Sequence, residues 1–382
     1  MIKGVKFLLK LTSGKFMKKI YIFKIIFIVI FFSGILFGCS SYEQPNTTSI
    51  NGDFDMKAAA STVDTYMKYL MKNDIENIKK LYSKELLKSP VANENQNLSI
   101  MGYSLNDNSE VGKSGVFKVK IVRSDLSKPF STLDEYSVKV IKEGNDYKIG
   151  EISSILDREA FVEKNRIKMR SKDNINVDVI IGINNMPQYV FSKDDEANVN
   201  KMSVPRSNFG ILDFSYGGDY LALVTYDKNS YIGVVKIDES MEVQSDNSGS
   251  SDGQGNSESA QQEQIDEYNQ KIIGKNIINL DILKNTKVEF LTFSSDEKFI
   301  VAQYTNDSIG HCIRMYKMDS GDIINFKFED NFPLNKVDIV FSSFDTDTLN
   351  FDVISKANNS ESLPDIIGKW RLNLKDFKAV KI

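Results

Sequence analysis

The only histidine of the chain, His311, stands beside Cys312, and this pair is the first place to look for chemistry. A structural or catalytic zinc site needs three or four such ligands at fitting spacing. With one His and two Cys in 382 residues, the pair lacks partners, so no metal and no cofactor is expected. The same shortage excludes a Ser-His-Asp or Cys-His-Asn device. Asp345-Thr346-Asp347, with Asp352 downstream, offers oxygens of the kind calcium takes. It lacks the loop glycine and closing Glu of a helix-loop-helix calcium site and reads as a solvated turn, as does Asp194-Asp195-Glu196. Acids are plentiful, and a hydrolytic pair of carboxylates need only meet in space; nothing in the sequence singles out such a pair. No catalytic residue is assigned.

The element that organises the chain lies near its start. Lys18, Lys19 and Lys24 precede an apolar run, Ile25 to Phe37, broken only by Ser33 and Gly34 and closing on Leu36-Phe37-Gly38-Cys39. A charged opening, a short apolar centre and a small residue before the cut describe a secretory signal peptide. A spanning helix needs roughly 20 apolar residues, more than this run holds, although an uncleaved anchor is the alternative. Met17-Lys18-Lys19 is a second opening of leader type, beside Met1. Leu36, Gly38 and Cys39 resemble the lipobox of bacterial lipoproteins. That resemblance implies cleavage after Gly38, lipid on Cys39 and a membrane-anchored, extracytoplasmic protein.

Charge agrees with a covalent anchor. The leader (1–38) holds seven lysines and no acid, so the remainder is distinctly more negative than the formal −4 of the whole chain. Such a surface makes few phosphate contacts, and no nucleic-acid partner is expected. It also does not hold to anionic lipid by charge alone. With Cys39 lipidated, Cys312 has no partner for a disulfide.

Residues 39–53 are polar and form a tether. Across 54–156 two helices precede a sheet. Ala59, Val63, Tyr66, Met67 and Leu70 recur at helical period, and Asp74 suits an N-cap for a second helix running to Ser89-Pro90. Phe117, Val119 and Ile121, then Tyr136, Val138 and Val140, alternate as strands do. Glu143-Gly144-Asn145-Asp146 is a hairpin turn leading into Tyr147-Lys148-Ile149. Two helices followed by a curled sheet read as α+β. Thr65-Tyr66-Met67-Lys68-Tyr69-Leu70, Asn73-Asp74-Ile75-Glu76 and Tyr136-Ser137-Val138-Lys139-Val140 resemble the nuclear transport factor 2-like cone fold. That likeness implies a pocket between helices and sheet, for which Tyr66, Tyr69, Tyr136 and Tyr147 are the candidate lining; the same spacing also suits plain core.

Residues 157–173 are read as a connecting helix rich in Arg and Lys. From 174 to 382 the chain is strand and turn, with an internal repeat. Phe209–Ser215, Tyr220–Val224 and Tyr231–Ile237 form one copy. Val288–Ser294, Lys298–Ala302, Cys312–Met318 and Ile323–Phe326 form a second. A weaker third runs from Val337 to Leu372, and 177–191 suggests part of a fourth. These copies resemble the blades of TolB-like and WD-repeat propellers, although the WD dipeptide is absent. An open, incomplete propeller and a β-sandwich both remain open. The insertion 239–263 is Ser, Gly, Gln, Asn and acid, too polar to bury surface, and is expected to be disordered. The expected function is non-enzymatic binding or scaffolding at the cell surface, with a protein partner, in an envelope or signalling system. The alternatives are a carbohydrate-active hydrolase using paired carboxylates, or small-ligand binding in the cone pocket.

Overall fold

The computed structural model describes residues 54–89, 98–172, 177–241, 272–306, 308–356 and 363–382, all within one unit, Phe54–Ile382. Leu36, Gly38, Cys39, the tether 39–53 and 242–263 of the polar insertion lie outside the described residues. Among the described residues no helix is long and apolar enough to cross a membrane.

Asp55 opens helix α1 (Met56–Met71), its carboxylate accepting from the backbone N–H groups of Lys57 and Ala58. Those donors have no partner inside the helix, which is why a short acid is favoured there. One face of α1 buries Ala59, Val63, Tyr66 and Met67. Asp74 caps α2 (Ile75–Leu81) by accepting from Asn77 N–H. This helix stops at Leu81, short of the expected Ser89, because Tyr82 turns extended and bridges to Ile149.

Six strands follow: β1 (Ser99–Val111), β2 (Ser114–Asp125), β3 (Phe130–Glu143), β4 (Asp146–Glu163), β5 (Arg166–Ser171) and β6 (Asp178–Gly182). They pair antiparallel in chain order as one sheet. Gly144, at φ +63°, allows the two-residue turn between β3 and β4. Helices α1 and α2 cover one end of this sheet, where Phe117, Val119, Ile121, Tyr136, Val138 and Val140 are buried. The connecting helix expected over 157–173 is not a helix across its described residues, 157–172. It is the end of β4, a turn at Lys164-Asn165 with both residues at positive φ, and β5. Ile167 and Met169 alternate in sequence with Arg166, Lys168 and Arg170 and are fully buried on one face, while Lys168 is buried on the other and pairs with Glu163.

The rest of the described chain is built from small antiparallel sheets. One holds β9 (Asn208–Phe214), β10 (Tyr220–Tyr226), β11 (Ser230–Ile237) and β12 (Gly274–Leu283). The next holds β13 (Lys287–Phe293), β14 (Phe299–Asn306) and β15 (Gly310–Lys317). Its expected fourth strand, Ile323–Phe326, contributes only an isolated bridge from Ile323 to Tyr316. A third holds β16 (Val337–Asp345), β17 (Thr348–Ser355), β18 (Gly368–Asn373) and β19 (Ala379–Lys381). The stretch 177–191 makes no sheet of its own. It supplies β6 to the large sheet and β7 (Tyr189–Phe191), which pairs only with β8 (Lys201–Ser203).

Two cores result, and the long strands run through both. Tyr103, Ile121, Tyr136 and Ile149 lie in the helix-side core. Met101, Val122, Leu133 and Ala160, from the same four strands, lie in the core shared with the small sheets. The boundary expected at Leu156 falls inside β4, so the chain has no linker there.

Candidate functional site

Four chain segments enclose a cleft of about 640 Å³. The β2–β3 turn gives Leu126, Ser127, Lys128 and Pro129. Strands β9 and β10 give Phe209, Gly210, Ile211, Val224 and Tyr226. Asp227 comes from the β10–β11 turn and Ser230 from the start of β11, Thr286 from the β12–β13 turn and Lys287 and Val288 from the start of β13. Local bonds set each wall. Asp125 accepts from the N–H and hydroxyl of Ser127. Burial pushes the Asp125 carboxyl up, but Ser127 and Lys128 outweigh it and hold it below the usual range. Asp227 accepts from Asn229 N–H at 2.7 Å. The Ser230 hydroxyl donates to the Thr286 carbonyl at 2.7 Å, and Asn285 N–H to the Asn229 side chain at 3.1 Å, tying two turns together.

The floor is a β-bulge. Phe209 opposes Thr225 and Leu212 opposes Leu223, so Gly210 and Ile211 together face Val224. A Cβ on Gly210 would stand 3.3 Å from the Tyr226 ring, so glycine lets that ring close onto the strand. Leu126 and Tyr226 stay 45% and 43% exposed, an apolar wall open to solvent. At the rim Lys287 makes no ion pair among the described residues, Lys128 reaches Asp125 at 3.5 Å, and Asp227 is the one carboxylate of the lining. This arrangement suits binding through apolar contact, hydroxyls and positive charge.

A smaller cleft of about 430 Å³ lies where the end of α1 and β1 meet β13, β16, β17 and β18; Lys72, Phe290, Phe341, Asp352 and Lys369 are among its lining residues. Phe290 and Phe341 stack there, centroids 5.0 Å apart.

The residues singled out in the sequence scatter. Tyr66 and Tyr136 are core, and Tyr69 and Tyr147 pack against it. The Tyr147 hydroxyl accepts from Asp55 N–H at 2.6 Å, and its ring meets Phe54 edge-on. None of the four lines either cleft. His311 Nδ1 sits 2.9 Å from Glu289, while burial pushes the Cys312 thiol up to about 12. Asp345 pairs with Lys68 of α1 at 2.6 Å and Asp347 with Lys375 at 2.9 Å, so the turn faces lysines. Asp194 pairs with Arg314 and Glu196 with Lys327.

Two buried polar centres escaped the sequence reading. Arg314 on β15 donates to Asp281 on β12 (3.0 Å), to Asp194 (2.6 Å) and to Glu329 (3.1 Å). The Tyr316 hydroxyl and Lys193 N–H also donate to Asp281, which is fully buried. This network pins two sheets and the 192–196 loop. Asp213 on β9 is fully buried beside Ser124, Thr292 and the Phe293 backbone, but among the described residues neither carboxyl oxygen meets a donor in good hydrogen-bond geometry. Desolvation raises its pKa well above the ordinary carboxylate value. The readable signal was an acid or Arg inside an apolar strand run: Leu212-Asp213-Phe214, Leu280-Asp281-Ile282 and Ile313-Arg314-Met315.

No family model matches the chain, and no curated protein matches it. Among solved structures it is similar to a puromycin-hydrolysing peptidase of Mycobacterium tuberculosis, at 8% identity and a TM-score of 0.19, over 75% of this chain and 52% of that one. It is also similar to prolyl oligopeptidase B from Galerina marginata, at 11% identity and a TM-score of 0.24, over 77% of this chain and 42% of that one. The chain thus spans about half or less of either protein, and likeness at this level carries no argument about fold or activity.

Proposed function

We propose that this chain is a non-enzymatic lipoprotein, held by lipid on Cys39 at the outer face of the cell membrane, where it binds or scaffolds a protein partner. In this reading the helices and the end of the large sheet that they cover make a cone of the nuclear transport factor 2-like kind. The three small sheets are propeller-like blades, since each is a meander and the first strand of one, β9, lies against the first strand of the next, β13, and against β2 and β3. The large sheet would then stand in the ring beside them.

The observation that carries the binding role is the cleft at the Gly210 bulge. Its volume suits a ligand site, its open wall is Leu126 and Tyr226, and its lining holds two lysines, Lys128 and Lys287, to one acid, Asp227. The anchor is supported by Leu36-Phe37-Gly38-Cys39 after a short apolar run. Cys39→Ser tests it: the variant should lose labelling by a fatty-acid probe and accumulate uncleaved. Unchanged labelling and membrane fractionation would sink the anchor. Cross-linking in intact cells from a photoreactive group at Tyr226 should capture a discrete protein. A capture pattern unaltered by Lys128→Ala with Lys287→Ala would sink the role given to the cleft.

A further inference from the structure

Strand β4 is paired by β3 from Asp146 to Phe161, apart from two bulged residues. On its other edge, β5 covers only Arg158–Glu163. Just beyond, Lys172 N–H donates to the Asp157 carbonyl at 3.0 Å. At the far end Ser83 N–H donates to the Ile149 carbonyl at 2.8 Å, beside the Tyr82–Ile149 bridge. Between these two points, nothing among the described residues pairs with 150–156 on this edge.

The side chains mark the same opening. Ser153, Ser154, Ile155 and Leu156 are exposed on both faces of the strand, with Ile155 at 55%. Register shifts leave Gly150 and Asp157 without a partner residue in β3, so Glu151–Leu156 is a regular run between two bulges. Sheet edges are ordinarily blunted by lysine, proline or an inward charge. Ile152-Ser153-Ser154-Ile155-Leu156 carries none of these.

We propose that this slot takes one extended segment of a partner protein, which adds a strand to the large sheet beside β4. In such additions the backbone supplies affinity and alternate side chains supply specificity. The slot is closed at both ends by chain, Tyr82-Ser83 and Lys172, and six residues of strand measure roughly 20 Å. A second copy fits poorly, because its own open edge is interrupted by the same flanking pairings at Ile149 and Asp157. The segment is uncharged and β-branched over its middle, to cover Ile155 and Leu156. It carries a cation at the end beside Glu151, whose side chain is 71% exposed and, among the described residues, pairs with Lys139 alone, at 4.0 Å. Asp157, at the other end, is already held by Lys120 and Lys172. This goes beyond the binding role given to the cleft at Gly210: the slot on β4 is a separate surface, and it depends neither on that cleft nor on lipidation.

The test uses the full chain in mild detergent and a fluorescein-labelled Lys-Val-Thr-Val-Thr-Val peptide. Fluorescence anisotropy should show saturable binding, weakened at least tenfold when alternate peptide nitrogens are methylated, which removes backbone donors and keeps the side chains. Ile155→Lys should weaken binding about tenfold while leaving the circular dichroism spectrum unchanged. Moving the peptide lysine to mid-sequence should weaken it likewise. Amide hydrogens of 150–156 should exchange fast in the free chain and slow with peptide bound. Absence of saturable binding, equal binding of the methylated peptide, or protection of 150–156 in the free chain would each overturn the proposal. All of these readouts remain available should Cys39→Ser prove the anchor wrong.

Discussion

At the scale of single residues, Asp213 is a buried carboxyl whose neighbours Ser124, Thr292 and Phe293 do not offset its desolvation. A buried polar group left without a hydrogen bond costs about 1–3 kcal/mol. Its carboxyl pKa is raised on folding by desolvation, so the folded state holds that proton more tightly than the unfolded chain does. The associated stability is fully present below the unfolded pKa, near 3.9, and is lost as pH rises toward the folded value. Asp213→Asn, neutral at every pH and of the same shape, should therefore be more stable than wild type at pH 8. The gap should narrow toward pH 4. Paired urea melts at the two pH values check this, and a gap that widens on acidification would contradict it. Arg314 is the opposite case. Removing it as Arg314→Met leaves Asp281 buried without its cation, a change that costs about 3–5 kcal/mol. Adding Asp281→Leu should recover much of the loss, and a double-mutant cycle in denaturant measures the coupling.

At the scale of elements, β4 is the strand on which the fold turns. It carries Ile149 into one core and Ala160 into the other. A fragment of 54–156 would cut it between them. That fragment keeps the helix-side core but exposes Met101, Val122 and Leu133, which belong to the other. It is expected to aggregate or to unfold without a cooperative transition; a sharp, reversible melt by circular dichroism would show that the helix-side core stands alone. The Lys68–Asp345 pair joins α1 to β16, but both side chains are about one-third exposed. Asp345 also accepts from Asn350 at 2.9 Å. Lys68→Ala should therefore cost no more than about 1 kcal/mol, read from the shift in denaturation midpoint.

At the scale of the whole molecule, strands shared between two cores couple them. Unfolding of the chain should be a single transition, with calorimetric and van't Hoff enthalpies in agreement. Two resolved heat peaks would mean that the helix-side core melts separately.

The sequence by itself determined most local structure, because local structure answers to neighbours along the chain. Asp55 and Asp74 begin helices through donors two or three residues away, and Asp74 was readable as a cap. Gly144-Asn145 makes its turn by its own backbone preference. The alternation of Phe117, Val119 and Ile121 told which side would be buried. Where two periods competed, the reading failed: the basic residues from Arg158 to Arg170 suggested a solvated helix, although Ile167 and Met169 already alternated. Only the tertiary structure decided how far β4 runs, which residues wall the cleft at Gly210, and that Asp213, Asp281 and Arg314 are buried. Those outcomes depend on strands distant in sequence meeting in space. Ser83 beside Ile149, Lys172 beside Asp157, and Leu126 across from Tyr226 are contacts that no period along the chain encodes.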